Sequence, residues 1–138
     1  MMAMEQLQRR AIRFPKPLGA YSQAMQVKAG SLVFVAGQVA LDANGNLVGK
    51  GDVEAQTRQV FQNIGQVLSS TDASFSQVVE FTTYLVGRSS IPPFLNARAA
   101  LFPVLFPNGD YPPNTLLIID GRVREEFLVE IKAIAALP

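Results

Sequence analysis

The 138-residue chain contains no histidine, no cysteine and no tryptophan. Without histidine there is no imidazole base, no Ser-His-Asp triad and no imidazole-ligated metal. Without cysteine there is no thiol nucleophile, disulfide, iron–sulfur cluster or thiolate zinc site. Any catalysis must run on carboxylates, Lys, Arg, Tyr, hydroxyls, amides, backbone groups or bound water. Charge is scarce as well: Asp, Glu, Lys and Arg make up 17% of the chain, against about 25% in typical domains. The net charge is +1, which gives no surplus positive field for nucleic acid or anionic lipid. No stretch approaches the roughly 18 apolar residues of a membrane span, and Met1 to Phe14 lacks the continuous apolar segment of a signal peptide. A soluble cytoplasmic protein with no membrane or nucleic-acid partner is expected.

The length suits one domain, since single cores run about 100–200 residues. With 49% apolar residues and few charges, a domain with so much surface per residue is expected to bury part of that surface in an oligomer. A monomer with a polar, uncharged surface is the alternative.

Residues 1–16 read as an N-terminal tail or edge extension of this one domain, 1–138. Tyr21 to Val27 and Leu32 to Ala36 are strand candidates joined by the Lys28-Ala29-Gly30 turn, and the pair reads as a hairpin. Asn44-Gly45 marks a further turn. Asp52 suits a helix N-cap, and Val53, Thr57, Val60, Ile64, Val67 and Leu68 then recur at helical spacing. Val78 to Val86 is a strand candidate with Val79, Phe81, Thr83 and Leu85 on one face. Ser89-Ser90-Ile91-Pro92 starts a second helix, which Pro103 and Pro107 should end or distort. Thr115 to Ile119 and Leu128 to Ala136 are the last strands. In the latter, Val129, Ile131, Ala133 and Ala135 share one face and Glu130 and Lys132 the other. The order ββ–α–β–α–ββ predicts an α+β fold: a single-layer mixed sheet with two helices on one face. The opposite face then needs cover from other subunits.

Four places could carry chemistry. Glu130 is a carboxylate in an apolar strand, either solvated, with Lys132 as a local partner, or held in an interface cleft. Gly19-Ala20-Tyr21-Ser22-Gln23 combines a glycine with two hydroxyls that could meet a ligand, or is simply a loop-to-strand junction with a core tyrosine, the reading the segment alone favours. Ala36-Gly37-Gln38 closes a strand, as a ligand contact or simply a bulge. Pro112-Pro113-Asn114-Thr115 is a rigid approach to a strand, with an amide at Asn114, or a plain surface turn. Arg58, Arg98, Arg122 and Arg124 are scattered and form no basic patch. No glycine-rich phosphate loop and no carboxylate cluster of metal-site spacing is present.

In their order along the chain, several segments resemble the RidA (YjgF) family, also described as endoribonuclease L-PSP. Leu18-Gly19-Ala20-Tyr21-Ser22-Gln23-Ala24 is similar to GPYSQA, Phe34 to Val39 to (V/T)SGQ(I/V), and Ala55-Gln56-Thr57-Arg58-Gln59 with Asn63-Ile64 to AQTRQ…N(I/L). Phe94-Leu95-Asn96 is similar to (F/V)N and Val129 to Ala135 to VEIEAIA. The resemblance covers about Pro17 to Ala135. It implies a chorismate-mutase-like fold, a homotrimer with clefts between subunits, and cofactor-free hydrolysis of 2-imino or 2-enamino acids to keto acids and ammonia.

An imine carbon is already electrophilic, so such a site mainly has to hold the substrate and position one water. The resemblance implies Glu130 as the group that holds or activates the water and Tyr21 as the cleft tyrosine. Gly37 and Asn96 are implied as further cleft positions, and Asn114 and Thr115 as the proline-rich loop that meets substrate. Lys132 shares Glu130's face and either supplies a cation or neutralises the glutamate. In the deaminases that loop runs P-A-R-[ST], with an arginine gripping the substrate carboxylate. Asn114 stands in the arginine's place, and a neutral amide cannot replace a guanidinium fork. Such a lost contact is worth about 1.5–3 kcal/mol of binding. The expectation is therefore a subgroup without the arginine, acting on a small imine, enamine or related carbonyl metabolite other than the standard 2-imino acid. Alternatives are a 2-aminomuconate-type deaminase or a non-catalytic metabolite-binding trimer, while a ribonuclease is not supported.

Overall fold

The computed structural model describes residues 8–138. In chain order they form β1 (Gln8–Ile12), β2 (Ala24–Lys28), β3 (Ser31–Gln38), α1 (Val53–Ser69), β4 (Val78–Val86), α2 (Ile91–Leu105), β5 (Asn114–Ile119) and β6 (Val129–Leu137). The two helices pack on a four-stranded mixed sheet of order β3-β6-β4-β5, in which only β4 and β5 run parallel. The parallel pair is bridged by α2, as a parallel connection requires a crossover. This is the expected α+β arrangement.

The hairpin expected between the second and third strands does not form. β2 pairs instead with β1, from Gln8↔Lys28 to Ile12↔Ala24, as a separate two-stranded ribbon. The turn after β2 is drawn to the C-terminus: Gly30 N donates to Leu137 O at 2.9 Å, and β3 pairs with β6. The ribbon is fixed by arginine reaching across to other backbone. Arg9 donates to Val78 O (3.0 Å) and Asp110 O (2.8 Å), and Arg13 to Gly109 O (2.9 Å). Residues 8–12 are thus a paired strand rather than a tail; the rest of the expected tail, residues 1–7, lies outside the described residues.

Helix α1 begins as expected, with Asp52 Oδ1 accepting from Ala55 N at 3.0 Å. Its buried stripe is Val53, Gln56, Thr57, Val60, Phe61, Ile64 and Leu68. Gln56 is completely buried yet satisfied: its Nε2 donates to Gly49 O and Glu126 O, and its Oε1 accepts from Leu128 N, all within 3.0 Å. α2 does not break at Pro103, which sits in the last turn of the helix. Phe106 N still donates to Phe102 O, so the missing proline N–H leaves the end of the helix intact. In β4 a register shift between Val78 and Glu80 turns Val78 rather than Val79 into the core.

Apolar residues of both helices meet Val35, Phe81, Leu85, Val129, Ile131, Ala133 and Ala135 from the sheet. Around Phe81 the rings of Phe61, Phe102 and Phe106 pack at centroid separations of 5.5–6.2 Å, mostly edge to face. This dense aromatic layer covers one side of the sheet. Among the described residues no second layer covers the other side.

Candidate functional site

Strand alternation decides which chemistry reaches the bare face. Ile131 and Val129 are buried, so the intervening Glu130 and the following Lys132 project to the opposite side. Across that face Glu130 lies in register with Tyr84, and Lys132 with Thr82, which in turn pairs with Thr115. Leu117 follows beside Tyr84.

Gly37 comes against Glu130 from β3. The pairing of β3 with β6 shifts between Val35 and Gln38, which makes Ala36-Gly37 a bulge. A Cβ at Gly37 would lie 2.5 Å from Glu130 Oε2 and 2.7 Å from its Cδ. The carboxylate therefore occupies the space that any other residue's side chain would claim.

Glu130 is paired, but not with Lys132. Arg122, on the 120–128 loop between β5 and β6, brings Nη2 to within 2.5 Å of Glu130 Oε2. The guanidinium carbon also lies 5.6 Å from the centre of the Tyr84 ring. Arg122 Nε is buried with no partner among the described residues. Lys132 is exposed, and of its two expected roles the neutralisation of Glu130 falls instead to an arginine from a loop.

Tyr21 and Asn114 belong to a second group. Tyr21 Oη accepts from Leu18 N at 3.2 Å. Ser22 is buried, its hydroxyl unpartnered among the described residues, and its backbone N–H donates to Pro112 O. The Tyr21-Ser22 segment thereby abuts the proline-rich loop. Asn114 is half-buried, and its Oδ1 accepts from Thr83 Oγ1 at 2.8 Å. Thr83 faces the helices and is buried, so the Asn114 amide turns toward that side and away from Glu130's face. Thr115 is exposed on the bare face, and Asn96 is exposed on α2.

Within one chain the structure brings Gly37 and Glu130 together and places Tyr21 beside the Asn114 loop. Two further residues, counted in the sequence only as scattered charges, prove to be placed with them: Arg122 beside Glu130, and Arg98 beside Tyr21. Arg98 is 8% exposed on α2, flanked one turn to either side by the Phe94 and Phe102 rings at 5.5 and 5.8 Å. Burial holds its pKa below the ordinary arginine value, an effect opposed by the Tyr21 phenol. The i, i+4 spacing of Phe94, Arg98 and Phe102 was the available signal, since it puts a cation in the middle of an apolar stripe.

Among the described residues there is no group of three or more acidic residues placed to hold a metal ion. No described helix is long and apolar enough to cross a membrane.

A mixed sheet covered by two helices on one face, with a glutamate against a glycine bulge on the other, defines a small α+β domain whose polar chemistry lies on an unlayered sheet face. Residues 11–137 match the family described as Endoribonuclease L-PSP, and the chain belongs to that family, the RidA/YjgF family. It is 36% identical over 121 residues to a RutC family protein of Pyrococcus horikoshii, covering 88% of this chain and 90% of that protein. It is 31% identical over 121 residues to the 3-aminoacrylate deaminase RutC of Acinetobacter baylyi, again covering 88% and 90%. Its fold superimposes with a TM-score of 0.83 on the crystal structure of the Rid family protein YyfB from Yersinia pestis, at 34% identity and covering 94% and 98% of the two chains.

Proposed function

We propose that this protein is a cofactor-free hydrolytic deaminase acting on a small imine or enamine that carries a carboxylate, in clefts formed between the subunits of a homotrimer. The observation that carries this reading is Glu130, held on the bare sheet face against Gly37. The likeness to a 3-aminoacrylate deaminase supports the reaction class.

The chemistry follows from what Glu130 offers. Arg122 engages Oε2, which leaves Oε1 to accept a hydrogen bond from a water. As that water's oxygen bonds to the imine carbon, Glu130 takes the water's proton and passes it to the imine nitrogen. The tetrahedral adduct then gives its hydroxyl proton through Glu130 to the amine as the C–N bond breaks, releasing ammonia, leaving a carbonyl and restoring the carboxylate. Neither imidazole nor thiol is needed.

The grouping of residues supports a shared cleft. Tyr21 and Asn114 lie with the helix-covered side, while Glu130 and Gly37 open on the bare side, so a site that uses both sets draws them from neighbouring copies. Phe34, Leu32 and Leu117 are 72%, 54% and 41% exposed, an apolar area suited to burial between subunits.

The test supplies purified protein with 3-aminoacrylate and with imino acids generated by an amino-acid oxidase, and follows ammonia release above the uncatalysed rate. Glu130→Gln should lower the rate about 10²-fold or more with little change in melting temperature. Rates equal to buffer alone for every such compound would remove the deaminase reading.

A further inference from the structure

We infer that Arg98, together with Tyr21 beside Gly19, binds the carboxylate of the substrate, the task that Asn114 cannot perform. This inference rests on the deaminase reading for the identity of the ligand, but its evidence lies in a separate part of the fold.

Buried charges are ordinarily paired. Arg122 answers to Glu130 and Arg124 to Glu126, whereas no carboxylate among the described residues reaches Arg98. Its neighbours Phe94 and Phe102 offer the cation their ring faces, but an aromatic face does not satisfy the in-plane N–H fork of a guanidinium. Its nitrogens are not among the buried unpartnered atoms, so the fork opens toward solvent, from where an anion can reach it. Its planar fork fits a carboxylate with two parallel hydrogen bonds.

Gly19 lets the two groups come together. A Cβ at this position would lie 3.2 Å from Arg98 Nη2 and 3.9 Å from the Tyr21 ring, so a side chain there would crowd the guanidinium, and Arg98 and Tyr21 both border the same point of backbone. The backbone does not demand glycine here, because Gly19 is not among the glycines with positive φ. The missing side chain therefore serves this approach rather than a turn. Tyr21 Oη accepts from Leu18 N, which leaves its own proton to donate to a ligand oxygen. Asn114 has its Oδ1 committed to Thr83, and Lys132 is exposed on the other face of the sheet. Arg98 is the cation placed for the task. The guanidinium missing from the proline-rich loop is supplied by α2.

The probe is 2-oxobutanoate, a keto acid of the product class, titrated calorimetrically into the full-length protein. Wild type should bind it, and Arg98→Met should weaken binding about tenfold or more. Arg98→Lys should recover part of the loss, and Gly19→Ala should weaken binding with Arg98 still present. Glu130→Gln should bind within about threefold of wild type. Without ligand, Arg98→Met should melt at the wild-type temperature or above, because an apolar chain replaces an unpaired buried charge.

Wild-type affinity in Arg98→Met, or a wild type that binds no 2-oxo acid, overturns the inference. If Arg98→Met does not fold, Gly19→Ala decides, and unchanged binding there overturns it as well. Arg98-dependent binding in a wild type that hydrolyses no imine supports the anchor and sinks the deaminase reading. Wild-type hydrolysis that survives Arg98→Met with unchanged KM sinks the anchor alone.

Discussion

On its helix-covered side the four-stranded sheet presents Phe81, Thr83, Leu85, Val129 and Ile131, each no more than 1% exposed. On the other side the same strands present Glu130, Lys132, Tyr84, Thr82 and the exposed Phe34. The covered side is closed by apolar packing, and Thr83 and Gln56 on it are bonded within the chain, while Arg98 has no carboxylate partner among the described residues. The bare side holds a glutamate, a lysine and exposed aromatic surface. Because side chains alternate along each strand, the two sets occupy interleaved positions of one backbone: one set is taken up by the core, and the other is left free for the catalysis and assembly proposed above.

That division is open to direct attack. Phe81→Ala removes the ring at the centre of the aromatic layer and should destabilise the chain by about 3–5 kcal/mol, read as a fall in thermal or urea midpoint. Glu130→Gln, on the other face of the neighbouring strand, should do the reverse, with activity lost and the midpoint nearly kept. A large fall in stability there would erase the contrast. Phe34→Asp places a charge in the proposed intersubunit surface and should lower the oligomeric mass measured by light scattering while the circular dichroism of the subunit persists. An unchanged mass moves the interface elsewhere. Asp52→Ala removes the cap of α1 and should cost about 1 kcal/mol, with no effect on substrate affinity. Least affected should be Arg124→Ala, which breaks a largely exposed pair with Glu126, worth about 0–1 kcal/mol.

Much of the covered side was legible beforehand because periodicity reports burial. The stripe of α1, the Asp52 cap and the alternation of β6 are each written in a short window of residues. Phe61 and Gln56 escaped because a wide helix face buries more than one stripe, and a glutamine is buried only when backbone partners from distant segments are in place. The pairing of β1 with β2 escaped for the same reason. It is held by Arg9 and Arg13 reaching backbone oxygens some 69 to 101 residues away, contacts that no local pattern announces. Pro103 misled because proline is disruptive in a helix interior but tolerable in a final turn whose end is capped elsewhere.

The candidate site was legible through its resemblance in motif order rather than through the chemistry of single residues. Glu130 and Gly37 could be named from that likeness, and their contact then gives Gly37 its physical reason. Arg122 could not be assigned, since its position depends on how a nine-residue connection folds back over Tyr84. Arg98 lay in plain view inside an apolar stripe. Its reading depends on no carboxylate among the described residues reaching it in three dimensions, which a sequence does not display.

The Gln56 amide has a mechanical side. It grips the 120–128 loop at Glu126 and Leu128, while farther up the same loop Arg122 is tied through Glu130 and Val123 between these moorings is 95% exposed. One fastening is to the first turns of a helix and the other to the carboxylate proposed to handle the water. Whatever competes for Glu130 therefore releases Arg122 and leaves the downstream end of the loop held by Gln56, so occupation of the carboxylate and the set of this loop are mechanically linked.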